Sequence, residues 1–165
     1  MRWTAPSGQG FDDTDEVTGF RFTYVLGNHG WAVATVESEG RTAPMDVSYL
    51  SDALRDLLDA IWGLTEGAVE TTAVLHDEPP EYRWTFRRTE GDVSMEIREL
   101  DGRRSTGHVV FTASTTLLDL AGQVSAEASR ILDEHGTDGY LARWKADPFP
   151  KQSHERLARW VEAHS

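Results

Sequence analysis

Apolar positions along this chain recur with two different periods, and the change from one to the other marks out its elements. From Ser48 to Leu64 (SYLSDALRDLLDAIWGL), Tyr49, Leu50, Ala53, Leu54, Leu57, Leu58, Ile61 and Trp62 follow the i, i+3, i+4, i+7 spacing. That spacing gathers them on one side of a helix and predicts that side to be buried. Ser48 is the natural N-cap, with Asp46 or Ser51 as alternatives, and Gly63 or Gly67 supplies the stop. The opposite side carries Asp52, Asp56 and Asp59, with Arg55 as its only base.

On both sides of this helix the period falls to two. FRFTYVLG and WAVATVES flank Asn28-His29 between two glycines, a hairpin signal. Pairing about Asn28-His29 sets Leu26 against Trp31, Tyr24 against Val33 and Phe22 against Thr35 on one face, with Val25 against Ala32 and Thr23 against Ala34 on the other. A short third strand is expected over Arg41 to Met45. After the helix, VETTAVLHDEPPEYRWTFRRTEGDVSMEIREL reads as three strands, broken at Pro79-Pro80 and turned at Glu90-Gly91. A two-residue turn there opposes Trp84 to Ile97 and Phe86 to Met95, so both apolar sets share a face. A last strand follows around His108 to Ala113.

The remainder is helical. Ser114 can cap a helix whose stripe is Leu117, Leu120, Ala121, Val124, Ala128, Ile131 and Leu132, ending at Gly136. A short helix from Thr137 to Trp144 stops before Asp147-Pro148, and Ser153 can cap a third with Leu157, Trp160 and Val161 inward. Together these predict an α+β fold in the order ββ(β)-α-ββββ-ααα: an antiparallel sheet of about six strands with helices packed on one face. Residues 1–18, polar apart from Trp3 and Phe11, are expected to be a poorly ordered acidic arm, and 19–165 a single domain. Trp31, Trp62, Trp84, Trp144 and Trp160 all fall on apolar faces and are expected in the core.

Charge changes this picture more than composition does. The net charge of −12 is uneven: Met1 to Glu81 hold 15 acids against 4 arginines, whereas Tyr82 to Ser165 hold 13 acids against 12 lysines and arginines. So acidic a first half argues against binding nucleic acid, which needs a basic footprint, and favours a basic protein partner. There is no cysteine, so disulfides and thiol chemistry are excluded. No run approaches the roughly 18 to 20 apolar residues that span a bilayer, and no apolar leader opens the chain, so a cytoplasmic protein without membrane contact is expected.

Candidate chemistry is sparse. His76-Asp77-Glu78 ends a strand, and His76 and Glu78 could converge as a base or part of a metal site; a polar turn before two prolines is the plainer reading. Arg83, Arg87, Glu96 and Arg98 share the polar face of the next hairpin. There Arg83 opposes Arg98, a repulsion that needs a carboxylate or a bound anion between them. Arg103-Arg104 reads as a solvated turn in preference to a phosphate clamp. No glycine-rich nucleotide motif, nucleophile elbow or zinc-binding helix motif is present, so neither a cofactor nor catalysis is expected.

The segments FRFTYVLGNHGWAVATV, VSYLSDALRDLLDAIWGL, DEPPEYRWTF and DEHGTDGYLARWKADPFP resemble a group of small uncharacterised proteins of actinobacteria and other GC-rich bacteria, over Phe20 to Val161. That group brings no site residues with it. The expectation is a non-catalytic protein-binding module with an acidic surface at Asp52, Asp56 and Asp59, in an immunity-like role. The alternative is a small-ligand protein or enzyme with a pocket between sheet and helices, using His76, Glu78 and the arginines. A homodimer is compatible with either.

Overall fold

The computed structural model describes residues 19–102 and 106–165; the N-terminal arm with Trp3 and Phe11, and the Arg103-Arg104 turn, lie outside the described residues. Seven strands and three helices follow in order: β1 (Phe20–Leu26), β2 (Trp31–Ser38), β3 (Arg41–Ser48), α1 (Ala53–Thr65), β4 (Glu70–His76), β5 (Glu81–Thr89), β6 (Asp92–Leu100), β7 (His108–Thr116), α2 (Leu117–Trp144) and α3 (Lys151–His164). The fold is α+β, but the strands form two antiparallel sheets, β1-β2-β3 and β4-β5-β6-β7, instead of one sheet of about six.

The separation has a physical reason at the strand edges. Beyond β1, helix α2 supplies hydrogen-bonding groups where another strand would otherwise pair. Gln123 Oε1 accepts from the Phe22 N–H at 2.8 Å, Glu127 Oε1 from the Tyr24 N–H at 2.9 Å, Gln123 Nε2 donates to the Phe20 carbonyl at 2.6 Å, and Arg130 Nη2 donates to the Tyr24 carbonyl at 2.7 Å. Residues 123, 127 and 130 lie on one side of a helix, so their side chains can meet alternate residues of an adjacent strand. On β4, Ser51 Oγ donates to the Val74 carbonyl at 3.2 Å, and Arg41 Nη2 donates to the Thr112 carbonyl of β7 at 2.7 Å.

One cluster of buried side chains draws on both sheets and all three helices. Trp84 packs edge-on against Phe22 with centroids 6.1 Å apart, joining the sheets through their apolar faces. The β5–β6 register pairs Trp84 with Ile97 and Phe86 with Met95, as the alternation predicts. Helix α1 buries Ala53, Leu54, Leu57, Leu58, Ile61 and Leu64. Helix α2 is broken at Gly136 (φ 69°, ψ 175°), the residue expected to end it, and the chain resumes helical form through Trp144.

Several expectations are corrected. In the first hairpin the residues at positive φ are His29 and Gly30, with the Trp31 N–H donating to the Asn28 carbonyl at 3.2 Å and the Gly27 N–H to the Trp31 carbonyl at 2.8 Å. Moving the turn by one residue pairs Leu26 with Ala32, Tyr24 with Ala34 and Phe22 with Val36. A one-residue slip sends each side chain of a strand to the other face. The small alanines therefore lie beside Leu26 and Tyr24 in the core, and Trp31, expected inside, is 37 % exposed. Trp84 and Trp144 are buried, while Trp62 and Trp160 are partly buried against the core.

Strand β3 continues to Ser48 because its pairing with β2 continues that far, matching Ser48 to Trp31. Ser48 is consequently a buried strand end instead of an N-cap, α1 starts only after Asp52, and Tyr49 and Leu50 are exposed. Likewise β7 runs on to Thr116, whose side chain, in place of Ser114, accepts from the Asp119 N–H. Helix α3 opens after Pro150, with Ser153 buried inside it.

Candidate functional site

Strand alternation puts His76, Arg83, Arg87, Glu96 and Arg98 on the outward face of the second sheet, opposite to Trp84 and Phe86. Arg83 does lie across from Arg98. Carboxylates relieve that repulsion: Arg83 Nη2 is 3.6 Å from Glu81, Arg98 Nε donates to Glu96 at 3.0 Å, and Arg87 Nε donates to Glu70 at 2.8 Å. His76 Nδ1 lies 4.0 Å from Glu81. Glu78 falls beyond the strand end, exposed, its N–H donating to the Asp77 side chain.

These groups do not share one site. His76, Glu78, Arg83 and Arg98 line an open cleft of about 1280 Å³ with Leu50 and Pro80. Arg87 and Glu96 line a separate groove of about 340 Å³ with Ser38, Arg41 and Thr112. An anion entering either would compete with carboxylates already seated on the arginines. Among the described residues, no group of three or more His, Asp or Glu is placed to hold a metal ion.

The three aspartates of α1 have unequal surroundings. Asp59 accepts from Arg156 of α3 at 2.9 Å and lies 3.4 Å from Arg55. Among the described residues Asp52 and Asp56 form no ion pair; the Arg55 guanidinium favours the charged form of both, and Asp147, in the loop between α2 and α3, is a further carboxylate close to them. Burial, then Asp147, then Asp56 push the Asp52 carboxyl up to about 6. Burial and the neighbouring Asp59 raise that of Asp56. Asp52 Oδ1 is buried without a hydrogen-bond partner, as are the hydroxyls of Tyr24 and Tyr140. Burial raises both phenols first, and the Asp52 charge adds to it. The sequence pattern did not single out Asp147, because its proximity to Asp52 arises only when the loop after α2 reaches the start of α1.

The turn correction creates a further surface. Five of the eight exposed large apolar side chains among the described residues, Val25, Trp31, Val33, Tyr49 and Leu50, lie on β1, β2 and the loop after β3.

The architecture defines an α+β protein of two antiparallel sheets and three helices that carries charged surfaces. No protein-family model and no curated protein matches the chain. A solved chain from the structure entitled "CdiA-CT/CdiI toxin and immunity complex from Enterobacter cloacae" superposes with a TM-score of 0.45 at 7 % identity, over 66 % of this chain and 99 % of that one. A likeness of that extent does not define a function.

Proposed function

We propose that this chain is a non-catalytic protein-binding module that offers an acidic surface to a basic protein partner. The observation that carries the reading is the meeting of Asp52, Asp56 and Asp147, an excess of carboxylates over the neighbouring Arg55, in a chain of net charge −12. Carboxylates that hold one another's proton affinity up gain when a cation arrives, whereas the arginines of the second sheet already have their counter-charges. Such a surface speeds association and makes it salt-sensitive. An immunity protein, which silences a basic toxin by covering it, is the specific form proposed here.

The test is affinity capture on the immobilised protein at low salt, alongside the triple variant Asp52→Asn/Asp56→Asn/Asp147→Asn. The expected outcome is recovery of a basic partner that elutes at about 0.3 M salt, where the screening length is about 6 Å, and that the variant does not retain. Equal retention by the variant, or an acidic partner, would sink the reading. For the immunity form, co-expression with the recovered partner should restore growth with the wild-type chain and not with the variant.

A further inference from the structure

We infer that the connection between α2 and α3, residues 145–150, is a two-ended pH latch: acidification frees its α3 end at His154, and alkalinisation frees the end that lies by Asp52 at the start of α1. The latch works whatever the chain binds, so it stands apart from the acidic-surface reading. Packing makes the connection one mechanical piece. Phe149 stands edge-on against Tyr140 of α2, with ring centroids 5.4 Å apart, and against the His154 ring of α3 at 5.7 Å. Tyr140 lies 6.5 Å from Trp144, and all three of Phe149, Tyr140 and Trp144 are buried. Backbone bonds fix the chain around these rings: the Lys145 N–H donates to the Leu141 carbonyl at 2.8 Å, the Lys151 N–H to Phe149 at 2.8 Å and the His154 N–H to Pro150 at 3.0 Å. Lys145, at φ 84°, is in a strained conformation that its surroundings must hold.

At the α3 end the clasp is His154. Its ring is buried near the start of α3, and Nε2 sits 2.9 Å from Ser129 Oγ, which joins α3 to α2. Burial lowers the proton affinity of the ring; the Glu155 and Asp133 carboxylates and the Ser125 carbonyl favour the charged form and do not outweigh it. A proton taken up here puts a charge into a buried site. The ring regains water by swinging out, and in doing so it releases Phe149. Farther along α3, Arg156 donates to Asp59 at 2.9 Å and Leu157 is buried, which keeps the helix on α1 and confines the opening to the connection.

At the α1 end the clasp has the opposite sense. One Asp52 oxygen is buried without a hydrogen-bond partner, as are the hydroxyls of Tyr24 from β1 and Tyr140 from α2. Burial, then Asp147 of the connection, then Asp56 push the Asp52 carboxyl up to about 6, with Arg55 acting against them. Asp56 has Asp59 and His76 as further charged neighbours. Protonated, Asp52 is a neutral neighbour for Asp147. Ionised, it carries an unpaired charge among buried hydroxyls and repels Asp147, so opening the junction to water relieves both.

Amide-exchange protection of the full chain, corrected for the intrinsic effect of pH and followed from about pH 4.5 to about pH 8.5, tests this. Lys151 and His154 should lose protection as pH falls below about 6.5, and Lys145 as it rises through about 6. Each loss should reach at most about tenfold per pH unit, the limit for one proton. Protection at the core residues Leu57 and Ile97 should stay level. His154→Gln should abolish the first response and keep the second, and Asp52→Asn should do the reverse. In the wild-type chain the first response should follow the titration of the His154 ring by NMR, and the second that of the Asp52 carboxyl, so the test survives a variant that does not fold. A flat profile at either end, a response that persists in its own variant, or a parallel loss at Leu57 and Ile97 would overturn the latch.

Discussion

Asp52 occupies the N-cap position of α1, yet its side chain makes no capping hydrogen bond; one of its oxygens is buried without a partner, and two other carboxylates stand close by. With its carboxyl raised from 3.8 to about 6, the folded chain holds a proton that the unfolded chain has already lost between those values. The stabilisation from this group is therefore full below about pH 4 and is lost as pH rises through about 6. Asp52→Asn removes the ionisation, so its melting temperature should exceed the wild type's by about 3 °C at pH 8 and match it at pH 4, corresponding to about 1 kcal/mol after allowance for solvent screening. Calorimetric melts at the two pH values check this, and an equal gain at both would show that charge is not the cause. His154 responds in the opposite sense. Burial lowers its proton affinity while its Nε2 sits 2.9 Å from Ser129 Oγ, so its contribution is complete above about 6.5 and declines as the solution is acidified. Asp52, Asp56 and Asp59 were legible from the sequence as one polar side of a helix. That Asp59 is neutralised by Arg156 while Asp147 joins Asp52 was not, because both partners come from distant segments.

At the scale of elements, the seam between β1 and α2 replaces a strand pairing with side chains. Glu127→Ala leaves the Tyr24 N–H without its acceptor and Arg130 without one of its two carboxylates, while Gln123→Ala frees both Phe20 and Phe22. Each change should cost about 1–3 kcal/mol. Amide exchange should quicken at Tyr24 in the first variant and at Phe22 in the second, and unchanged exchange would mean that the seam does not protect the edge. The double variant should aggregate on concentration, because an uncovered strand edge templates pairing with another chain. Most of these elements could be anticipated: the β5–β6 register, the stripe of α1 and the break at Gly136 all follow from local alternation or spacing. Their limits could not. Ser48 and Ser114 are sound caps on local grounds, but strand pairing extends as far as Ser48 in β3 and past Ser114 in β7 and overrules both.

For the molecule as a whole, the contact of Trp84 with Phe22 ties two sheets that share no hydrogen-bonded strand pair to one core. Trp84→Ala should therefore cost about 3–5 kcal/mol, and probes in the first and second sheets should still melt together; separate transitions would show that the sheets are independently stable. By itself the sequence determined the α+β class, the order of strands and helices, most of the buried stripes and the excess of negative charge, since each depends on spacing along a few turns or on a count. Only the tertiary structure decided that the strands form two sheets, that Trp31 points outward and that Asp147 stands beside Asp52. Those outcomes turn on contacts between residues far apart in the chain, such as Gln123 with Phe22 at a separation of 101 positions, and a local pattern holds no information about which distant group will satisfy an edge, clamp a turn or crowd a carboxylate.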